Sequence, residues 1–152
     1  MRITNGFDVS ASALTAQRLR MDVISSNIAN AETTRAKFVN GQYVPYARKM
    51  VVLEPTTPSF ADVLSGKMNG TASSKAAGVK VAKIVEDQAP FKQVYDPTNP
   101  DADSNGYVQM PNVDVAKEMV DMITASRSYE ANVTALNTTK AMFSKALEIG
   151  RA

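Results

Sequence analysis

The strongest constraint on the fold is a regular apolar stripe between about residues 113 and 149. Its members follow one another at steps of four and three residues, and they are Val115, Met119, Met122, Ser126, Tyr129, Val133, Leu136, Lys140, Phe143 and Leu147. A repeat of 3.5 residues sustained over this length is typical of a coiled-coil helix, and only Ser126 and Lys140 interrupt it. Asn112 or Asp114 is expected to cap the start of this helix, and Gly150 to end it. Such a helix would be roughly 55 Å long, too long for a compact domain of this size.

A second helix is predicted near the N-terminus, over about residues 7 to 31. Its stripe has the same spacing but is weaker, and it consists of Phe7, Ser10, Leu14, Gln17, Met21, Ile24, Ile28 and Ala31. Asn27 and Asn30 lie beside the stripe among small residues that let another backbone approach. An amide there either fixes the register between packed helices or belongs to an ordinary frayed helix end. Asn132 and Asn137 lie in a similar position in the long helix, which favours specified packing.

The segment between the helices has the pattern of a small β-rich insert. We predict two short strands around the Asn40–Gly41 turn, with Pro45 restricting the first to an edge, and further strands at 78–87 and 91–95. A short helix is predicted to begin at Ser59, and the Gly- and Ser-rich residues 65–78 are predicted to form a flexible loop.

These elements predict an α+β fold in which antiparallel N- and C-terminal helices form a coiled-coil-like hairpin. The predicted helical domain comprises residues 1–34 and 113–152, and the insert comprises residues 35–112. Because the second helix is longer than the first, part of its apolar stripe is expected to need cover from other subunits.

Composition excludes several classes of chemistry. The chain of 152 residues contains no cysteine and no histidine, so thiolate sites, disulfides and the commonest general base are absent. The net charge of +2 does not indicate nucleic-acid binding. No nucleophile elbow or phosphate-binding loop is present, so we predict a protein that is not an enzyme and has no cofactor.

One metal-like pattern occurs, in residues 101–106. Asp101, Asp103 and Asn105 alternate before Gly106 as in the first half of a calcium loop. The twelfth position, which should be glutamate, is Asn112, so no metal site is predicted.

Charge is distributed unevenly along the chain. Residues 1–53 lean basic, whereas residues 96–121 lean acidic. Ordinary solvated surface explains this pattern, and complementary surfaces on neighbouring copies are the alternative.

Two sequence signatures resemble those of a known family. The stretches "SSNIANAETT" (25–34) and "SRSYEANVTALNTTKAMFSKALEIG" (126–150) are similar to the terminal signatures of bacterial flagellar axial proteins, the rod and hook group. Arg35 and Ala36 stand where many relatives have a Gly-Tyr pair, as in proximal-rod members of the group. "VPYARKMV" and "VYDPTNPDADSNGYVQMPNVD" are also similar to those members, and the resemblance covers residues 5–54 and 79–150.

The resemblance implies a structural subunit of the proximal rod, which polymerises through its terminal helices, joins the membrane ring to the distal rod and transmits torque. The implied partners are other rod proteins, the basal-body ring, copies of the chain and the flagellar type III export apparatus, without nucleic acid or a direct membrane span. The implied location is the basal body in the cell envelope, reached without a cleaved signal peptide, and no signal-like apolar stretch opens the chain. A soluble coiled-coil chaperone or adaptor of the export system is the alternative.

The stripes and their flanking amides supply the predicted subunit-interaction residues. They are Leu14, Met21, Ile24, Asn27, Ile28, Asn30 and Thr33 in the N-terminal region, and Met119, Met122, Tyr129, Asn132, Val133, Leu136, Phe143 and Leu147 in the C-terminal helix.

Overall fold

The chain has an α+β fold, as predicted. The computed structural model describes residues 4–39, 41–57 and 78–150, together with residues 64 and 68. Its elements are α1 (Thr4–Ala29), β1 (Lys37–Val39), β2 (Gln42–Val44), β3 (Lys49–Pro55), β4 (Val79–Glu86), β5 (Lys92–Tyr95), β6 (Tyr107–Met110) and α2 (Val115–Ile149). The predicted helix at Ser59 and the predicted loop at 65–78 lie outside the described residues, apart from residues 64, 68 and 78. Neither α1 nor α2 carries an apolar stretch long enough to cross a bilayer.

Both helices lie close to their predicted ranges. Asp114 caps α2, because its side-chain Oδ1 accepts the backbone N–H of Ala116 at 3.1 Å and that of Lys117 at 3.4 Å. Asn112, the other candidate, is not the cap, because its Oδ1 accepts the backbone N–H of Arg48 at 2.8 Å. The helix ends at Ile149, and Gly150 N donates to Ala146 O at 3.2 Å.

The described strands pair as three two-stranded antiparallel ribbons. In the β1–β2 hairpin, Gly41 has φ 85°, a conformation that glycine adopts without steric cost. The β3–β4 ribbon is closed at one end by Asp87 N donating to Arg48 O, and at the other by Thr56 N donating to Gly78 O.

The prediction of two strands around the Asn40–Gly41 turn was incomplete. The segment forms three strands, because the chain leaves β2 at Pro45 and resumes pairing only at β3. Proline has no N–H to donate to a ladder, and Pro45 lies buried between the two strands.

The chain divides into two compact units. The terminal unit comprises Met1–Arg18, Leu53–Ala82 and Ser126–Ala152, and the central unit comprises Leu19–Val52 and Lys83–Ala125. Both helices and the β3–β4 ribbon contribute residues to each unit, whereas the sequence-based division followed element type.

Most of the described core lies in the central unit. Its buried apolar side chains are Val23, Ile24, Tyr46, Val108, Val113 and Ala125. In the described part of the terminal unit, the buried side chains are Ala16 and Ser10. Among the largest fully buried side chains of the central unit are Glu118 and Asn27, so the centre of this core is polar.

Candidate functional site

Asn27 lies at the centre of a polar network in the central unit. Only 1% of the residue is exposed, and its amide makes four hydrogen bonds. Nδ2 donates to Lys49 O and to Glu118 Oε2, each at 2.9 Å. Oδ1 accepts the Lys49 N–H at 2.9 Å and the Tyr46 hydroxyl at 3.1 Å. Both donors and both acceptor sites of the amide are therefore used, so burial leaves none of its polar atoms unpaired.

Arg48 completes the network from β3's N-terminal flank. Its Nε donates to Glu118 Oε1 at 2.6 Å, a short, charge-assisted hydrogen bond. The exposed fraction of the side chain is 15% for Arg48 and 1% for Glu118. Asp87 and Asp121 lie farther off, each 3.5 Å from a guanidinium nitrogen.

The ionised form of Arg48 is favoured in this setting. Burial lowers the pKa of the guanidinium, but the hydrogen bond and charge of Glu118, with a smaller effect of Asp87, more than offset this and raise the pKa above its usual value. Arg48 thus supplies a permanent positive charge beside a buried carboxylate.

A half-open cleft of about 280 Å³ adjoins this network. It is lined in part by Arg20, Arg48, Glu118 and Asp121. Both Glu118 oxygens are occupied, by Asn27 and Arg48, so this carboxylate is not available as a general base. The arrangement joins α1, the chain before β3 and α2, and its chemistry is structural.

Part of the uneven charge of the sequence is paired inside the chain. Arg48 pairs with Glu118, Arg20 lies 3.6 Å from Asp121, and Arg35 pairs with Asp101. These basic and acidic side chains are therefore neither simply solvated nor reserved for a neighbouring copy, because folding brings the two segments together.

Asp101, part of the calcium-like pattern, binds side chains instead. Its Oδ2 accepts the Thr34 hydroxyl at 2.7 Å, and its Oδ1 accepts Arg35 Nε at 2.6 Å. The hydrogen bond from Arg35, followed by that from Thr34, lowers the pKa of Asp101. In the described residues the carboxylate therefore ties the β5–β6 loop to the chain that enters the β1–β2 hairpin.

The predicted interaction residues of the N-terminal region lie mostly at partly buried positions. Ile24 and Asn27 are buried, whereas Leu14, Met21, Ile28, Asn30 and Thr33 are half-buried. Asn30 Nδ2 donates to Ser26 O at 2.8 Å, within the last turns of α1, and its Oδ1 accepts the Thr33 hydroxyl at 3.3 Å. Asn30 thus forms hydrogen bonds at the end of α1, whereas Asn27 links α1 to α2 through Glu118.

The predicted residues of α2 fall into two groups. Met122, Tyr129, Asn132, Val133 and Leu136 are half-buried, whereas Met119, Phe143 and Leu147 are exposed. Asn132 Nδ2 donates to Ser128 O at 2.8 Å, within its own helix.

The sequence did not predict several exposed apolar residues of α2. Val120, Ile123, Met142 and Ile149 are each more than half exposed but lie off the predicted stripe. Their apolar character was the available signal. The roles of Arg48 and Glu118 had no local signal, because the two residues are seventy positions apart.

Comparison with known proteins identifies the family. Residues 7–37 match the family model described as "Flagella basal body rod protein", and residues 104–149 match "Flagellar basal body rod FlgEFG protein C-terminal". The chain is 60% identical over 151 residues to the flagellar basal-body rod protein FlgC of Bacillus subtilis (strain 168), covering 99% of this chain and 100% of that protein. The chain belongs to the FlgC family of flagellar basal-body rod proteins.

More distant relatives agree. The FlgC of Salmonella typhimurium (strain LT2) is 47% identical over 99% of this chain and 100% of its own length, and that of Borreliella burgdorferi is 44% identical over 98% of each. The recognition from the terminal signatures is confirmed. The chain is a structural protein of the flagellar basal-body rod and is not an enzyme.

Proposed function

We propose that the chain polymerises in the rod through its terminal helices, which pack antiparallel as a coiled-coil-like hairpin. Within the central unit, Arg20 of α1 faces Asp121 of α2, and Asn27 contacts Glu118, so positions rise along α1 as they fall along α2. Within the terminal unit, a Cβ on Gly6 would lie 3.6 Å from Thr139 Cγ2. These contacts support the hairpin.

The observation that carries the proposal is the exposed end of α2. Residues 140–149 are exposed throughout, and they include Met142 at 61%, Phe143 at 41%, Leu147 at 56% and Ile149 at 78%. Four large apolar side chains on about three turns of helix form a surface that water does not stabilise. Neighbouring rod subunits, including copies of this chain, would cover it, and contacts that do not close into a ring produce a rod.

The remaining role follows from this assembly. A rod of interlocked helices would join the membrane-embedded ring to the distal rod within the cell envelope and transmit torque, with residues 35–112 as an insert beside the helical domain formed by residues 1–34 and 113–152. The chain would reach this site unfolded, through the type III export apparatus and without a cleaved signal peptide. In support, the described part of the terminal unit buries few apolar side chains, so little apolar burial opposes its unfolding.

Charges placed on the exposed end of α2 test the proposal. We expect Phe143→Glu combined with Leu147→Glu to abolish motility and to remove the chain from isolated basal bodies, because burying either carboxylate at an interface without a partner is costly. Ala141→Glu is the matched control, because it adds a carboxylate to the same exposed turns away from the Phe143 and Leu147 side.

The measurements are swarming in a strain that lacks its own copy, and immunoblots of purified basal bodies. Wild-type motility and normal incorporation of the doubly charged variant would contradict polymerisation through this surface. A purified chain that forms only a discrete dimer or tetramer holding another export substrate would instead support an export chaperone.

A further inference from the structure

Two amide side chains of α1 differ in how well their hydrogen bonds are satisfied. Asn27, in the central unit, uses both donors and both acceptor sites of its amide. Gln17, in the terminal unit, is half-buried, yet its Oε1 atom is closed off from solvent and has no hydrogen-bond partner among the described residues. A buried, unsatisfied acceptor lowers the stability of a fold, because the oxygen has lost its hydrogen bonds to water without replacing them.

Gln17 also lies where an apolar side chain would be more stable. It is one of two polar members of the predicted stripe of α1, and Ala16 beside it is 3% exposed. Methionine is unbranched like glutamine, has a similar helix propensity and would leave no amide oxygen unpaired. The chain therefore carries a side chain here that stabilises the isolated fold less than an available alternative. Such a local conflict is typical of residues that serve a function other than stability.

The rest of the described terminal unit does little to offset this loss. Its buried side chains are Ala16 and Ser10, both small. In the central unit, by contrast, Ile24 and Tyr46 are buried and the amide of Asn27 is fully paired. The free energy that opposes local opening rises with the apolar area that is buried and with the polar groups that are paired. We therefore expect the terminal unit to open more readily than the central unit.

We propose that Gln17 is a built-in weak point of α1, which keeps the terminal unit easy to open before the chain is exported. The terminal unit contains the first half of α1 and most of α2, so its opening releases helical segments on both sides of the insert. A chain that passes through a narrow channel as an extended polypeptide has to release such segments first. The inference rests on the proposed export of the unfolded chain, and it names a residue that sets how readily unfolding begins.

Gln17→Met tests the cost of the unpaired acceptor in the purified chain. Native-state hydrogen exchange reports the opening of each unit separately, through the α1 amides of residues 10–18 and 20–28. We expect exchange in residues 10–18 to slow roughly tenfold, the effect of about 1.4 kcal/mol, and exchange in residues 20–28 to stay unchanged. Gln88→Met is the matched control, because it makes the same change at an exposed position of the central unit and should slow neither.

The same variant tests the role of Gln17 in the cell. In a strain that lacks its own copy, the amount of Gln17→Met chain in purified basal bodies should fall severalfold, with a matching rise in the cell fraction, because its terminal unit opens less often. Adding Ala11→Gly should reverse both effects, since glycine at an exposed position inside a helix weakens α1 without changing residue 17. Recovery in the double variant distinguishes an effect on stability from a direct contact of Gln17 with a neighbouring subunit.

Three results would overturn the inference. The first is unchanged or faster exchange of residues 10–18 in Gln17→Met. The second is slower exchange together with normal delivery to basal bodies, and the third is lost delivery that Ala11→Gly does not restore. None of these bears on polymerisation through the α2 end, because residues 140–149 are unchanged in all of these variants. Absence of the unmodified chain from basal bodies would instead refute the proposed rod function itself.

Discussion

Replacing Arg48 with methionine should destabilise the central unit by about 3 kcal/mol. The change keeps an unbranched, flexible side chain but removes the cation beside Glu118, which is 1% exposed. Removing one partner of a buried ion pair costs about 3–5 kcal/mol, because the remaining charge has lost its compensation. We expect a cost at the low end of this range for two reasons. The Arg48 side chain is still 15% exposed, and its contacts with Asp87 and Asp121 are long, at 3.5 Å each, so their loss adds little.

A double-mutant cycle separates the ion pair from the other contacts of each residue. Glu118→Gln alone should cost about 2 kcal/mol, since its single amide oxygen can accept from Asn27 or from Arg48 but leaves the other donor facing an NH2 group. The double variant should cost about 3 kcal/mol, well short of the sum, because removing the cation no longer leaves a buried carboxylate. The interaction free energy is then about 2 kcal/mol.

Urea unfolding of the purified chain, followed by circular dichroism at 222 nm, measures these free energies. Arg48→Lys should lie between wild type and Arg48→Met, because an ammonium keeps the charge without the guanidinium geometry. If Arg48→Met unfolds within about 0.5 kcal/mol of wild type, which is the range of an ordinary surface substitution, the reasoning about a buried, uncompensated carboxylate is refuted.

Three further predictions concern single positions. Asp114→Ala should lower the unfolding free energy by about 1 kcal/mol through loss of the α2 cap, measured by the same urea titration, whereas an unchanged midpoint would contradict the cap. Gly78→Ala should lower the melting temperature, because its Cβ would lie 2.6 Å from Ser12 Oγ, and a melting temperature equal to wild type would show that Ser12 gives way freely. The pKa of Asp101 is lowered by Arg35, so its contribution to stability is present above the usual carboxyl pKa and is lost as pH falls through the lowered value. Asp101→Asn should therefore flatten the acid limb of a stability-versus-pH curve, and an unchanged limb would be evidence against the pair.

Local patterns predicted the helices well because a helix depends on neighbours in sequence. The 3.5-residue spacing predicted the first residue of α2 to within two positions. Gly41 lies at the predicted turn, with φ 85°. The choice between Asn112 and Asp114 as the cap could not be made locally, since both side chains are chemically suited. Asn112 does not cap the helix because its side chain forms hydrogen bonds with other groups. These are Arg48 N, Asp87 O and Ala89 O, all distant in sequence.

By itself, the sequence determined two amphipathic helices, a β-rich middle segment and membership of the rod family, because periodicity, turn residues and terminal signatures are local properties of the chain. Only the tertiary structure decided that Asn27 is the satisfied centre of a core, that Glu118 is buried against Arg48, and that Phe38 and Tyr43 are left in solvent. The physical reason is that burial and ion pairing depend on which residues folding brings within a few ångströms, and most of these partners are 19 or more positions apart.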